Sequence, residues 1–170
     1  VGRIARNLAL KRFDYLTAAK RNAEAVCSLE ELGDCVSGRA SVEEEKDGKL
    51  IVPVTHKIPS CMMGSGKGFG YTVRGDYDVM TSDGAWVRKT GLETLRFGDI
   101  VLLEDQENVY GRAHKTGAVS IGVVIHGDTY RPGHGPGISI LLTSRKPLIE
   151  GKLTKCANIA HWLGVKDCGK

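Results

Sequence analysis

The feature that most constrains this chain is a series of short apolar runs separated by glycine-bracketed polar turns between residues 63 and 137. The turns read Met63-Gly-Ser-Gly-Lys-Gly-Phe-Gly70, Arg74-Gly-Asp-Tyr-Asp78, Gly98-Asp99, Glu104-Asp105, Tyr110-Gly-Arg112, His126-Gly-Asp128 and Pro132-Gly-His-Gly-Pro-Gly137. Glycine lets a backbone bend sharply and lie close to another backbone or a ligand. The apolar runs Asp99–Leu103, Ala118–Ile125 and Ile138–Thr143 are too short for ordinary helices and read as strands. Lys49–His56 is a further β run, in which Pro53 predicts an edge or a bend. Tyr71–Val73 and Tyr77–Met80 read as strand pieces on either side of Gly75, and Trp86–Leu95 as a helical turn. Strands without regular helical crossovers predict an antiparallel or barrel-like sheet and argue against a doubly wound fold.

Residues 1–47 follow a different period. Leu8, Leu10, Phe13, Leu16, Ala19, Ala23 and Val26 recur near helical spacing, with basic residues between them. Ser28-Leu-Glu-Glu31 has the form of a capping box for a second, short helix that Gly33 would end. Glu44-Glu-Glu-Lys-Asp-Gly48 reads as a solvated linker. The fold class predicted is therefore α+β: a helical segment at 1–47, then a mainly antiparallel, barrel-like β domain over 48–170 closed by a short helix at Ala157–Val165.

Composition narrows the function. An apolar fraction of 41% supplies a core, and the net charge of +4 is spread among interleaved acids without a basic stripe. Aromatics do not alternate with basic residues as a base-stacking surface requires, so nucleic acid is not an expected partner. No run is long enough to span a membrane, and no signal peptide is visible. Five cysteines, at 27, 35, 61, 156 and 168, lack CxxC spacing, and their number is odd. They read as reduced thiols in a cytoplasmic protein, neither a zinc site nor a secreted disulfide framework. The start at Val1 is compatible with a processed or partial chain.

The polar turns offer several chemistries, each with a bland counterpart. Gly64-Ser-Gly-Lys-Gly68 is not a phosphate loop, because Cys61 stands where the first glycine belongs and Gly68 where Ser or Thr belongs. Ser65 and the backbone N–H groups around Gly66 could still cradle an anion. Asp76 and Asp78 lie two residues apart and share a face if the segment is a strand. There they could bind a hard cation or pair with Arg74 or Arg112, and the alternative is a solvated turn. Glu104-Asp105 and Tyr110-Gly-Arg112 read as a hairpin with a charged tip. His126, Asp128 and His134 lie within nine residues at constrained turns, which suits a metal site or an acid/base pair as well as structural roles. Cys61 has no evident local base and is a poor nucleophile candidate.

Asp47-Gly-Lys-Leu-Ile-Val-Pro-Val54, Met63-Gly-Ser-Gly66, Gly75-Asp-Tyr-Asp-Val-Met-Thr81, Leu95-Arg-Phe-Gly-Asp-Ile-Val101, Gly117-Ala-Val-Ser-Ile-Gly-Val-Val-Ile-His126 and Gly133-His-Gly-Pro-Gly137 together resemble an uncharacterised prokaryotic family, domain of unknown function 4438. The resemblance covers about residues 47–165 and corresponds to the C-terminal half of a longer family protein. It implies a β-rich soluble protein of bacteria or archaea and transfers no activity. It also implies that the family's N-terminal half, absent here, could supply site residues.

Two functions follow as expectations. One is a small-molecule enzyme, hydrolytic by metal assistance or acid/base chemistry, with Asp76, Asp78, His126 and His134 catalytic. Ser65, Gly66, Arg112 and Asp128 would bind its ligand, with a divalent metal as possible cofactor. The other is a non-catalytic ligand-binding module or subunit. The apolar face of the first helix suits a homo-oligomer or a complementary chain carrying the missing half.

Overall fold

The structure, a computed structural model, describes residues 49–64, 75–129, 131–163 and 167. Among the described residues eight strands are present: β1 (Leu50–Val54), β2 (His56–Ile58), β3 (Met63–Gly64), β4 (Tyr77–Val79), β5 (Ile100–Glu107), β6 (Ala113–His126), β7 (Gly137–Ser144) and β8 (Ile149–Leu153). Two α-helices accompany them in these residues, α1 (Gly84–Thr90) and α2 (Ile159–Trp162). Six strands form a curled half-barrel sheet in the order β2-β5-β6-β7-β4-β3, and β1 and β8 form a separate pair. The long ladders β5–β6 and β6–β7 are antiparallel, whereas β1–β8 and β2–β5 are parallel. Among the described residues the domain is thus the expected mainly antiparallel sheet, half of a barrel in form.

Several expected elements change when tertiary pairing is added. Lys49–His56 is not one strand. It breaks at Thr55, whose N–H (2.8 Å) and hydroxyl (3.2 Å) both donate to the Ile100 carbonyl. This break passes the chain from the β1–β8 pair to the large sheet. Pro53 lies in β1, which pairs in parallel with β8; there the Leu50 N–H donates to the Leu148 carbonyl and the Val54 carbonyl accepts from the Thr154 N–H, so the alternate position Pro53 turns its missing N–H away from β8. Glu104-Asp105 does not end a strand. β5 continues to Glu107 through an irregularity between Glu104 and Gln106, where Asp105 adopts φ 55°. The Asp105 carboxylate accepts the Gly117 N–H across the hairpin at 2.8 Å, which holds this turn of the ladder.

The sheet alternates its apolar residues onto two faces. Ile58, Tyr77, Val79, Val101, Leu103, Val124 and Ile138 form one core, covered by Leu92 and Met62. Ile100, Leu102, Ile121 and Val123 form the other, covered by the β1–β8 residues Val52, Val54 and Ile149. Burying each such side chain contributes roughly 1.5–3 kcal/mol. α1 starts because the Asp83 carboxylate accepts from the Ala85 and Trp86 N–H groups, and ends at left-handed Gly91.

The helices read at 1–47, the strand piece Tyr71–Val73, and Ser65 and Gly66 lie outside the described residues. α2 is shorter than the helix read at Ala157–Val165, part of which also lies outside them. The cysteine expectation is corrected: Cys61 is free, but Cys156 is disulfide-bonded. Among the described residues no helix is long and apolar enough to cross a membrane.

Candidate functional site

Four neighbouring strands carry one continuous row of residues. Gly64 of β3 pairs with Asp78 of β4, Asp78 pairs with Gly137 of β7, and Gly137 pairs with His126 of β6. Directly opposed residues in a sheet project to the same face. The row therefore puts one carboxylate and one imidazole on a common surface with a glycine between them. That glycine leaves the gap in which the polar groups meet. A Cβ on Gly137 would stand 2.1 Å from His126 Nε2 and 2.3 Å from Asp76 Oδ2. Neighbouring glycines are equally constrained: a Cβ on Gly64 would lie 2.1 Å from the Gly133 carbonyl oxygen, and one on Gly135 would lie 1.8 Å from that of Val79.

A register shift aims the histidine. Val124 opposes Ile138, and His126 opposes Gly137, so β6 carries one residue too many between these pairs. In a regular strand Val124 and His126 would share a face, because the side-chain period is two. Val124 lies in the core with Tyr77 and Ile138. The irregularity turns His126 to the opposite face, where Asp76 and Asp78 lie, a common use of bulges.

The charges on this face are closely coupled. His126 Nε2 lies 2.7 Å from Asp76 Oδ2 and 3.5 Å from Asp78 Oδ1. His134 Nδ1 lies 2.7 Å from Asp78 Oδ2, so the two oxygens of the buried Asp78 carboxylate serve two imidazoles. The other nitrogen of His126, Nδ1, donates to the Gly127 carbonyl at 3.0 Å. A carbonyl only accepts, so Nδ1 carries a hydrogen and Nε2 is the variable position. Burial pulls the His126 pKa down, but the Gly127 carbonyl, the Asp76 carboxylate and then Asp78 outweigh it, and the net direction is upward. Without a cation the ring is therefore held toward the imidazolium form, donating from both nitrogens. With a cation at Nε2 it can be neutral. One ligand atom from each of Asp76, Asp78 and His126 can be chosen within 4.8 Å of one another. Donors around a single ion at about 2.1 Å stand at most about 4.2 Å apart, and the His126–Asp76 and His126–Asp78 separations of 2.7 and 3.5 Å lie inside that span.

Residues 39–163 match a family model described as domain of unknown function (DUF4438), C-terminal. The chain belongs to this family. A solved structure described as the crystal structure of TM1086 is 40% identical to it, with a TM-score of 0.63. That similarity covers 72% of this chain and 43% of the TM1086 chain, so this chain spans less than half the length of that relative. Among curated proteins, none matches closely enough to support a relationship.

In this DUF4438 chain the remaining polar residues fall in three places. Asp128 stands beside the cluster. Its carboxylate accepts from the Thr81 hydroxyl and, at 2.8 Å, from the Thr129 N–H, and with His126 it lines a cavity of about 640 Å³. Arg112 does not pair with the Asp76 carboxylate. It donates to the Asp76 backbone carbonyl and lines a separate cavity of about 270 Å³ with Ser60, Tyr77 and His114. The guanidinium thus fixes the backbone from which Asp76 projects. Ser65 and Gly66 lie outside the described residues. Sequence reasoning missed Thr81 and the Gly127 carbonyl, which orient Asp128 and His126. Gly137 carried a signal, as the last glycine of the Gly-His-Gly-Pro-Gly turn, but its role as the gap depends on pairing with two other strands.

Proposed function

We propose that this chain carries the site of a divalent-cation-dependent small-molecule enzyme of the hydrolytic class. Asp76, Asp78 and His126 Nε2 hold the cation, and His134 serves as general base. The carrying observation is that two carboxylates and an imidazole nitrogen converge while the second nitrogen of that imidazole is fixed on a carbonyl. Metal-binding histidines are typically oriented in this way by their outer N–H. Two carboxylates supply a formal charge matched to a divalent ion, and a mixed oxygen and nitrogen donor set suits Mn²⁺ or Zn²⁺.

His134 fits the second role because Asp78 holds its Nδ1 at 2.7 Å. The neutral ring then carries its lone pair on Nε2, free to take a proton from water. His134 and His126 are each nearly half exposed, so the cluster is open to a substrate. A cation there would polarise a carbonyl or phosphoryl oxygen and acidify a bound water.

Calorimetric titration with Mn²⁺ tests the reading, combined with turnover of nitrophenyl ester and phosphate substrates. Wild type should bind one ion per chain, and His126→Ala or Asp78→Asn should weaken binding by about 10- to 100-fold or more. His134→Ala should keep the ion but lower turnover by roughly 10²- to 10⁴-fold. Stoichiometric binding that survives both ligand variants, or no binding to the wild type, would show that the cluster is a structural ion-pair network.

A further inference from the structure

The cavity of about 640 Å³ beside the cluster has a size typical of small-molecule sites. Its lining divides into two chemistries. His126, Asp128 and Thr81 lie at the cluster, whereas Val87, Leu95 and Phe97 supply apolar wall. Phe97 is 47% exposed, unusual for a phenylalanine facing a concave surface. Its position is set by the site itself. The Phe97 ring lies against Gly127, where an added Cβ would stand 3.3 Å from Cζ, and the Gly127 carbonyl holds His126 Nδ1. An exposed aromatic face is thus mounted one residue from a cation ligand.

The charged lining is mixed and explains less. Arg96 is committed to the fully buried Asp99 at 3.6 Å. Arg88 faces the same cavity without an ion pair among the described residues, while Glu93 and Asp167 bring negative charge. Arginine alone therefore does not select an anion here; that selectivity would have to come from the cation.

We propose that this cavity takes the substrate of the neighbouring site: a small molecule with an apolar, ring-sized body against Phe97 and Leu95, and an oxyanion head group, carboxylate or phosphoryl, at the end of the cavity lined by His126, the one member of the Asp76–Asp78–His126 cluster that borders it. The inference rests on reading that cluster as a cation site. It adds the class of molecule, and it explains why an aromatic side chain stays half exposed on the wall of a cavity that contains His126.

The experiment compares probes that share a head group but differ in the ring. Phenyl phosphate is paired with inorganic phosphate and phenylacetate with acetate, each titrated into metal-free and Mn²⁺-loaded protein. Mn²⁺ affinity is measured separately, so a failure of the cation reading is seen by itself. The Mn²⁺-loaded wild type should bind at least one ring-bearing probe roughly tenfold or more tightly than its ring-free partner. Which pair shows the preference identifies the head group. Phe97→Ala should bring the ratio near one without changing Mn²⁺ affinity. Ala160→Trp, which fills the same cavity from α2, should do likewise and guards against a local effect of truncating Phe97. A wild-type ratio near one, or a ratio that survives both variants, would overturn the proposal. If Mn²⁺ does not bind, the head-group assignment falls, and the ring preference of the metal-free protein decides the apolar half by the same two variants.

Discussion

At the scale of single residues, the candidate site depends on Gly137 as much as on any charged group. Its Cα sits under the point where His126 and Asp76 meet, and a methyl group there would overlap both. Neither neighbour can move freely, because His126 Nδ1 is tied to the Gly127 carbonyl and Arg112 holds the Asp76 backbone. Gly137→Ala should therefore separate the imidazole from the carboxylate and cost about 1–3 kcal/mol as overpacking does. The expected result is a lower Tm together with at least about tenfold weaker Mn²⁺ binding. Gly91→Ala gives a comparison, since Gly91 also resists substitution, at φ 71°, but stands at the end of α1. It should lower Tm while leaving Mn²⁺ affinity unchanged. Much of this chemistry is legible in the sequence. The alternation Asp76-Tyr77-Asp78 predicts two carboxylates on one face, and His126 and Asp76 do meet at 2.7 Å. Charge alone suggests a carboxylate partner for Arg112, whereas the guanidinium here reaches the Asp76 backbone carbonyl, a contact that no sequence pattern shows.

At the scale of elements, what escaped the sequence is pairing. Residues 118–125 read as a strand from their apolar run, but the shift that turns His126 across the sheet appears only once β6 is set against β7. The break at Thr55 is hidden for the same reason: its carbonyl partner is 45 residues away. The β5–β6–β7 ladder is also fastened at its far end by a pair that no local pattern reveals. Arg145, just beyond β7, donates from Nε at 3.1 Å and Nη2 at 3.2 Å to the carboxylate of Glu107, the last residue of β5. The Arg145 hydrogen bonds hold the Glu107 carboxyl below its ordinary range despite the opposing effect of burial. A carboxyl with a lowered folded pKa contributes stability that is present above its unfolded value and lost as pH falls through the folded one. Arg145→Ala should therefore lower Tm at pH 7, and the gap to wild type should narrow as pH drops below about 4.5. A gap independent of pH would assign the effect to the lost packing of Arg145 on the Tyr110 ring, 5.1 Å from its guanidinium carbon.

At the scale of the whole molecule, the proposed cation site would tie the stability of the fold to cation binding through one imidazole, and the two should respond to pH in opposite directions. The His126 pKa is raised in the folded protein above its ordinary 6.5, because the Gly127 carbonyl and the two carboxylates outweigh burial. A group with a raised folded pKa contributes stability that is fully present below the unfolded value and lost as pH rises through the folded one. In metal-free protein, His126→Ala should thus reduce Tm most at pH 6 and below, with the difference closing as pH is raised. A cation at Nε2 must displace the proton that forms the imidazolium, so its affinity should increase over the same interval. Saturation at 100 times Kd stabilises a fold by about 2.7 kcal/mol, enough to read as a shift in Tm. Thermal unfolding across pH 5.5–8.5, with and without a fixed Mn²⁺ concentration, should give curves that diverge: the contribution of His126 to the metal-free fold declines while the shift due to Mn²⁺ grows. If the Mn²⁺ shift is flat with pH, or is unchanged in His126→Ala, the cation is held elsewhere and His126 belongs to the fold alone.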